Sequence, residues 1–159
     1  MPRSRRDAER AAEAALRPVA GVEELQVVGA VHDRVLGLLG IATVARSVWL
    51  HPDVVQHIEQ QREFGAGDAE FVLSYMTRTI LRPQLVGRES RDPRRANLVH
   101  LVGAESRHLC VALKFVAAME ARSGQDEIWV STAFPMGHAS LTRLKKRSTL
   151  IEVDWEADD

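Results

Sequence analysis

The stretch from Asn97 to Phe134 most constrains the fold, because apolar and polar residues alternate along three segments of it. Successive side chains of a β-strand point to opposite faces, so this period of two predicts strands with one buried face. In the segment from Arg107 to Ala118 the predicted buried face comprises Leu109, Val111, Leu113 and Phe115. Lys114 then lies on the opposite, outer face, and antiparallel pairing with the segment from Asn97 to Val102 is expected to place His100 on the same outer face.

The residues before this stretch have the period of helices. Pro52 is suited to a first helical turn and begins a predicted helix that runs to about Phe64, after a short strand from Ser47 to Leu50. Asp68 is a predicted N-cap for an amphipathic helix that ends after Leu81, since Pro83 follows. Further upstream, a strand from Leu25 to Val31 and a short helix from His32 to Leu39, closed by Gly40, are expected.

Helices followed by a run of strands predict the α+β class, with amino-terminal helices packed on a roughly four-stranded antiparallel sheet. The expected strands are Gln84–Arg88, Asn97–Val102, Arg107–Ala118 and Glu127–Phe134. The length of 159 residues suits one domain, for which we predict residues 21–147, after a charged helix or arm at 1–20 and before an acidic tail at 148–159.

Charge is unevenly distributed along the chain. The net charge is -1, but the last eight residues contain five acids and no base, so the rest of the chain carries about +4. No apolar run is long enough for a membrane span, and a single cysteine, Cys110, excludes an internal disulfide. These features predict a cytoplasmic protein without a membrane partner.

Several of these segments together resemble one family. They are Ser47-Val48-Trp49-Leu50, the following helix with His57, the helix ending at Arg82-Pro83, the strand with Val99 and Leu101, the Arg107–Ala118 strand and the closing Trp129–Phe134 strand. The chain resembles, over about residues 25–138, the barnase/EndoU/colicin/RelE-like nuclease superfamily in its phage-associated or polymorphic-toxin branch. The resemblance implies a helical layer on an antiparallel sheet, an open sheet face that binds RNA, and metal-independent cleavage.

The resemblance also implies roles for single residues. His57 matches the helix histidine, Lys114 the strand cation, and Ser131 or Thr132 the hydroxyl of the closing strand. No glutamate takes an obvious base position on these strands, so we expect the acid and base to come from the histidines, with Glu63 as a further candidate. The candidate catalytic residues are His57, His100, Lys114, Ser131, Thr132 and His138.

Candidate RNA contacts come from the basic residues between Arg78 and Arg107 and from an aromatic ring on the last strand. Arginine forms bidentate contacts with phosphate, and an exposed tryptophan can stack on a base. The candidates are Arg88, Arg91, Arg94, Arg95, Arg107 and Trp129. The histidines lack the close paired spacing of a zinc motif, so neither a metal nor another cofactor is expected.

We therefore expect a small intracellular ribonuclease or toxin-like RNA-cleaving domain. One histidine, His57 or His100, would accept the proton of a ribose 2′-hydroxyl, and another, His138 or His100, would protonate the leaving oxygen. The alternative is a non-catalytic RNA-binding or protein-interaction module of a mobile element or toxin–antitoxin system. The expected partners are RNA, with tRNA one candidate, and a cognate antitoxin or immunity protein.

Overall fold

The computed structural model describes residues 25–60, 67–101 and 108–156. Four helices occur in these ranges, and the sequence marks one end of each of the first three. Gly40, with φ of 66°, closes the first helix in the left-handed region, and Pro52 begins the second. Their bounds are α1 Asp33–Leu39, α2 Pro52–Glu59, α3 Asp68–Leu81 and α4 His138–Arg147.

Within the described ranges, seven strands form one mixed sheet in the order β1-β2-β6-β5-β4-β3-β7. All neighbours pair antiparallel except β2 and β6, which are parallel. The strands are β1 Gln26–Ala30, β2 Ser47–Leu50, β3 Leu85–Arg88, β4 Arg95–His100, β5 His108–Val116, β6 Glu127–Met136 and β7 Ile151–Glu152.

The predicted arrangement of amino-terminal helices on a roughly four-stranded antiparallel sheet is wrong. The four strands expected between Gln84 and Phe134 are present and pair antiparallel, but β1, β2 and β7 extend the sheet on both sides. Helices also follow and separate the strands, and α4 comes after the central sheet. The added strands were hard to assign to this sheet because their partners are distant in sequence, as in the parallel pairing of β2 with β6.

Helices α1, α2 and α3 pack on one face of the sheet, which we call the inner face. The buried residues of β5 on this face are the predicted Leu109, Val111, Leu113 and Phe115, in one core with Val72 and Met76 of α3. Burial of side chains of this size stabilises a fold by about 1.5–3 kcal/mol each. The main core therefore lies between α3 and the central strands.

The opposite, outer face of the sheet is covered by α4 over only part of its area. Leu141 and Leu144 of α4 pack against Val99, Cys110 and Met136 in a second, smaller core. Because β4 lies between the two cores, Ala96 to Val99 are all buried. This second core does not include the outer-face residues toward the carboxyl end of β5 and the start of β6, which we call the uncovered part of the outer face.

Part of the segment predicted as an acidic tail belongs to the folded domain. Val153 is in the main core, and the Trp155 indole N–H donates to the Pro83 carbonyl oxygen at 2.7 Å. The guanidinium of Arg82 lies 4.9 Å from the Trp155 ring centroid. These contacts hold residues 148–156 at the β3 edge of the sheet.

Gly87 and Gly37 provide a matched test of this packing. A Cβ at Gly87 would stand 2.5 Å from the Thr149 carbonyl oxygen, whereas a Cβ at Gly37 in α1 would meet no atom within 4 Å. We expect Gly87→Ala to lower the free energy of unfolding by about 2 kcal/mol or more, and Gly37→Ala to raise it by about 0.5–1 kcal/mol. Urea unfolding followed by circular dichroism measures both, and an unchanged Gly87→Ala variant would contradict the close approach of β3 to residue 149.

Candidate nucleic-acid interface

A row of side chains crosses five strands on the uncovered part of the outer face. The pairing registers join Val27 to Trp49, Trp49 to Trp129, Trp129 to Lys114 and Lys114 to Arg95. Paired residues of neighbouring strands point to the same face. We call these five residues the cross-strand row, and at about 4.8 Å per strand it spans about 19 Å.

The aromatic half of this row is accessible to solvent. Trp49 is 36% exposed and Val27 is 40% exposed, and the ring centroids of Trp49 and Trp129 lie 6.4 Å apart at an interplanar angle of 35°. The Trp129 indole N–H donates to Glu127 Oε1 at 3.1 Å, which fixes the orientation of this ring. Two adjacent indoles thus form an open aromatic surface on the sheet.

The other half of the row is cationic. Lys114 is half-buried on β5 and makes no ion pair within the described ranges, while Arg95 Nε lies 3.4 Å from Asp92 Oδ2. A surface ion pair such as this one is worth about 0–1 kcal/mol, so Arg95 can exchange Asp92 for another anion. Glu127 accepts the Trp129 indole N–H, and hydrogen bonds from Ser123 and Trp129 lower the pKa of its carboxyl group.

Ser131 and Thr132 lie beside the row at a β-bulge. The register pairs Ala112 with Thr132 and Leu113 with Val130, so Ser131 has no partner residue on β5. An inserted residue breaks the strict alternation of faces. Because of this insertion, Thr132 shares the outer face with Trp129.

The structure brings few of the predicted RNA-binding arginines to this row. Arg95 belongs to it, but Arg88 donates to the Pro93 and Gly40 carbonyl oxygens on the α1 side of the sheet. Arg94 Nη1 donates to Glu120 Oε2 at 2.8 Å, and Arg91 is exposed in the β3–β4 turn. Arg107 lies outside the described residues.

The six predicted catalytic residues do not meet in one cleft. Lys114 and Thr132 lie on the uncovered part of the outer face, whereas the exposed His57 belongs to α2, which packs on the inner face. His138 is the first residue of α4, at the end of β6. A histidine and a lysine on opposite sides of a sheet cannot act on one phosphate group.

The prediction that His100 shares the outer face with Lys114 is wrong. His100 pairs with Leu109 of β5, so it lies on the inner face, and its ring stacks on Tyr75 of α3 at a centroid distance of 5.7 Å. Its pKa is lowered, first by burial and then by the nearby Arg78 and His108. The sequence pattern misassigned this face because β4 is buried on both sides.

His108 and His32 are both buried. His108, the first residue of β5, has a pKa lowered by burial and by the neighbouring His138 and Lys145. His32 Nδ1 accepts the Arg34 backbone N–H at the start of α1, and its ring contacts Trp155 edge to face. Both rings thus pack inside the folded protein, and the residue type alone does not predict this.

Cys110 is fully buried in the second core, and burial raises the pKa of its thiol to about 12. The thiol therefore stays protonated and is no nucleophile. Among residues 25–60, 67–101 and 108–156, no three His, Cys, Asp or Glu side chains converge in a way that could hold a metal ion. No helix in these ranges is long and apolar enough to cross a membrane.

Trp49 and Val27 were missed as site residues, although part of the signal is present in the sequence. Alternation in Ser47–Leu50 places Trp49 opposite the buried Val48 and Leu50, so an outward indole could be found from the pattern. The position of Trp49 next to Trp129 could not be predicted, because it depends on a parallel pairing between strands that are far apart in the chain.

Comparison with family models, with curated proteins and with solved structures finds no match to this chain. The resemblance to the nuclease superfamily stays a prediction that rests on short motifs. The function has to be argued from the site itself.

The lowered pKa values of His100 and His108 predict how stability depends on pH. Both rings bind fewer protons in the folded than in the unfolded state near pH 6, so their contribution to stability is present above about pH 6.5 and is lost as the pH falls. We expect the free energy of unfolding in urea to fall between about pH 7.5 and about pH 5. Carboxyl groups titrate mostly below this range.

The variant His100→Phe keeps a ring against Tyr75 but cannot take up a proton. Its loss of stability over the same pH range is expected to be smaller than that of the wild type, while the exposed-site control His57→Gln behaves as the wild type. Equal losses in all three proteins would contradict the assignment of this pH dependence to His100.

Proposed function

We propose that the protein binds single-stranded RNA on the uncovered part of its outer face, through the cross-strand row. The observation that carries this proposal is the register that joins Trp49, Trp129, Lys114 and Arg95 across four neighbouring strands. Single-stranded nucleic acid is bound where aromatic rings stack on bases and cations accompany the backbone.

The two halves of the row suit the two parts of a nucleotide. Trp49 and Trp129 present adjacent indoles that can stack on bases, and Lys114 and Arg95 supply charge for the phosphates. A protein partner would more often require a larger apolar patch, whereas this surface combines two rings with two cations. Charge and ring chemistry together favour RNA as the occupant.

Binding is favoured over cleavage because none of the histidines expected to transfer protons lies at the row. The histidines expected to transfer protons lie on α2, on the inner face and at the start of α4. Lys114 would thus contact RNA without an imidazole beside it. We therefore propose a non-catalytic RNA-binding module rather than a ribonuclease. This module would act in the cytoplasm, where RNA is available.

Fluorescence anisotropy of a labelled oligouridylate of about ten nucleotides tests this proposal. Trp49→Leu removes an exposed indole and is expected to weaken binding about tenfold, since one base–ring stack contributes about 1–3 kcal/mol. Circular dichroism checks that the variant is folded. Duplex RNA of the same length is expected to bind more weakly than the single strand, because its bases cannot reach the indoles.

Two lysine variants test, through the salt dependence of RNA binding, whether Lys114 contacts a phosphate. Lys114→Gln should lower the slope of log affinity against log salt by about 0.7, the value for one phosphate contact on a single strand, while Lys146→Gln, exposed on α4, should leave it unchanged. No measurable binding of the wild type, or equal effects of the two lysine variants, would overturn the proposal.

A further inference from the structure

A cavity of about 220 Å³ lies at the end of the sheet, next to the cationic half of the cross-strand row. Phe115 and Val116 end β5 on opposite faces of the sheet, and both line the cavity, so it lies at the end of the strand. The Phe115 backbone N–H donates to the Arg94 carbonyl oxygen at 2.8 Å, and these two residues adjoin Lys114 and Arg95 in the chain. We call it the end cavity, and its lining also includes Gly40, Ile41, Ala42, Thr43, Arg88 and Asp126.

The loop after α1 joins a positive and a negative end of the end cavity. Arg88 Nη1 donates to the Gly40 carbonyl oxygen at 3.5 Å, and the Thr43 hydroxyl donates to Asp126 Oδ2 at 3.0 Å. Gly40 and Thr43 are three residues apart in the chain, so their Cα atoms are separated by at most about 11 Å. A guanidinium and a carboxylate therefore lie within reach of one small molecule.

Arg88 provides the positive end. Its Nε donates to the Pro93 carbonyl oxygen at 3.0 Å, which together with the contact to Gly40 orients the guanidinium. No carboxylate in the described part of the chain forms an ion pair with Arg88, so its charge is available to a bound anion. The second guanidinium of the lining, that of Arg94, pairs with Glu120 at 2.8 Å, a surface contact that another anion can replace.

Asp126 provides the negative end and holds the loop in place. Its Oδ1 accepts the Ala118 backbone N–H at 2.9 Å. Hydrogen bonds from Ala118 and Thr43 lower the pKa of its carboxyl group, so Asp126 is ionised at neutral pH. Ile41, from the same loop, and the Phe115 ring make the lining partly apolar. The end cavity thus combines an anion-binding group, an apolar wall and a hydrogen-bond acceptor.

We propose that the end cavity binds a nucleoside monophosphate, either as a free nucleotide or as the terminal nucleotide of RNA bound at the cross-strand row. The phosphate pairs with Arg88 and Arg94, the base packs on the apolar wall, and N–H or hydroxyl groups of the nucleoside donate to Asp126. Pockets for drug-sized ligands have volumes of about 300–1,000 Å³, so this smaller cavity suits a single nucleotide unit. The free nucleotide is independent of the proposed function, whereas the terminal nucleotide rests on it.

Isothermal titration calorimetry of the full chain with uridine 5′-monophosphate tests this site. Uridine, which lacks the phosphate, and inorganic phosphate, which lacks the nucleoside, are the matched ligands. We expect the nucleotide to bind at least about fivefold more tightly than either of them, because it alone contacts both the arginines and the apolar wall. No binding of the nucleotide, or an equal affinity for the nucleotide and one of the matched ligands, would overturn the proposal.

Variants locate the bound nucleotide. Arg88→Gln is expected to weaken nucleotide binding at least about fivefold, since it removes a charge-assisted hydrogen bond to the phosphate. Arg122→Gln, exposed in the turn between β5 and β6 and outside the lining, is the matched control and should bind as the wild type does. Ala42→Phe is expected to fill the end cavity and block binding without a change of charge. Circular dichroism checks the fold of each variant, and equal effects of the two arginine variants, or unchanged binding by Ala42→Phe, would contradict the site.

Oligouridylates of equal length with a 5′-phosphate, a 3′-phosphate or neither distinguish the two sources of the nucleotide, in competition with the labelled strand. Tighter binding of one phosphorylated strand, lost in Arg88→Gln, would assign the site to an RNA terminus, and equal binding of all three strands would assign it to a free nucleotide. Trp49→Leu should weaken binding of the strand but not of uridine 5′-monophosphate. A failure of the proposed function would therefore leave nucleotide binding intact, and a failure of the end cavity would leave strand binding intact.

Discussion

The parallel pairing of β2 with β6 determines which residues share the outer face of this protein. It joins the β1–β2 pair to the antiparallel strands β3–β6 and places Trp49 directly beside Trp129. A shift of one residue in either strand would turn its outward side chains into the core. Val48 and Ile128, which pair in the same register, are both fully buried and so oppose such a shift.

The second constraint is that α4 covers only part of the outer face. Leu141 and Leu144 cover Val99, Cys110 and Met136. The indoles and cations on the sheet beyond them are in contact with solvent. A single helix thereby divides one surface into a packed half and an accessible half. The proposed RNA surface is a consequence of this division.

The structural features that depend on a local sequence pattern could be predicted from the sequence. The period of two along β5 identified its buried residues, and Gly40, Pro52 and Pro83 marked helix ends close to where they lie. The faces of β4 could not be found in this way, because both of them are buried and the alternation that distinguishes an inner from an outer side is lost. His100 was assigned to the wrong face for this reason, and the ribonuclease mechanism that relied on it lost its proton acceptor beside Lys114.

Nuclear magnetic resonance of the three indole N–H groups tests the central claim most directly. Trp49 and Trp129 lie in the cross-strand row, whereas Trp155 packs at the opposite edge of the sheet and donates to Pro83. During titration with an oligouridylate, we expect the indole resonances of Trp49 and Trp129 to shift together and to saturate, while that of Trp155 stays unchanged. Shifts confined to Trp155, or no shift at saturating RNA, would contradict RNA binding at this face.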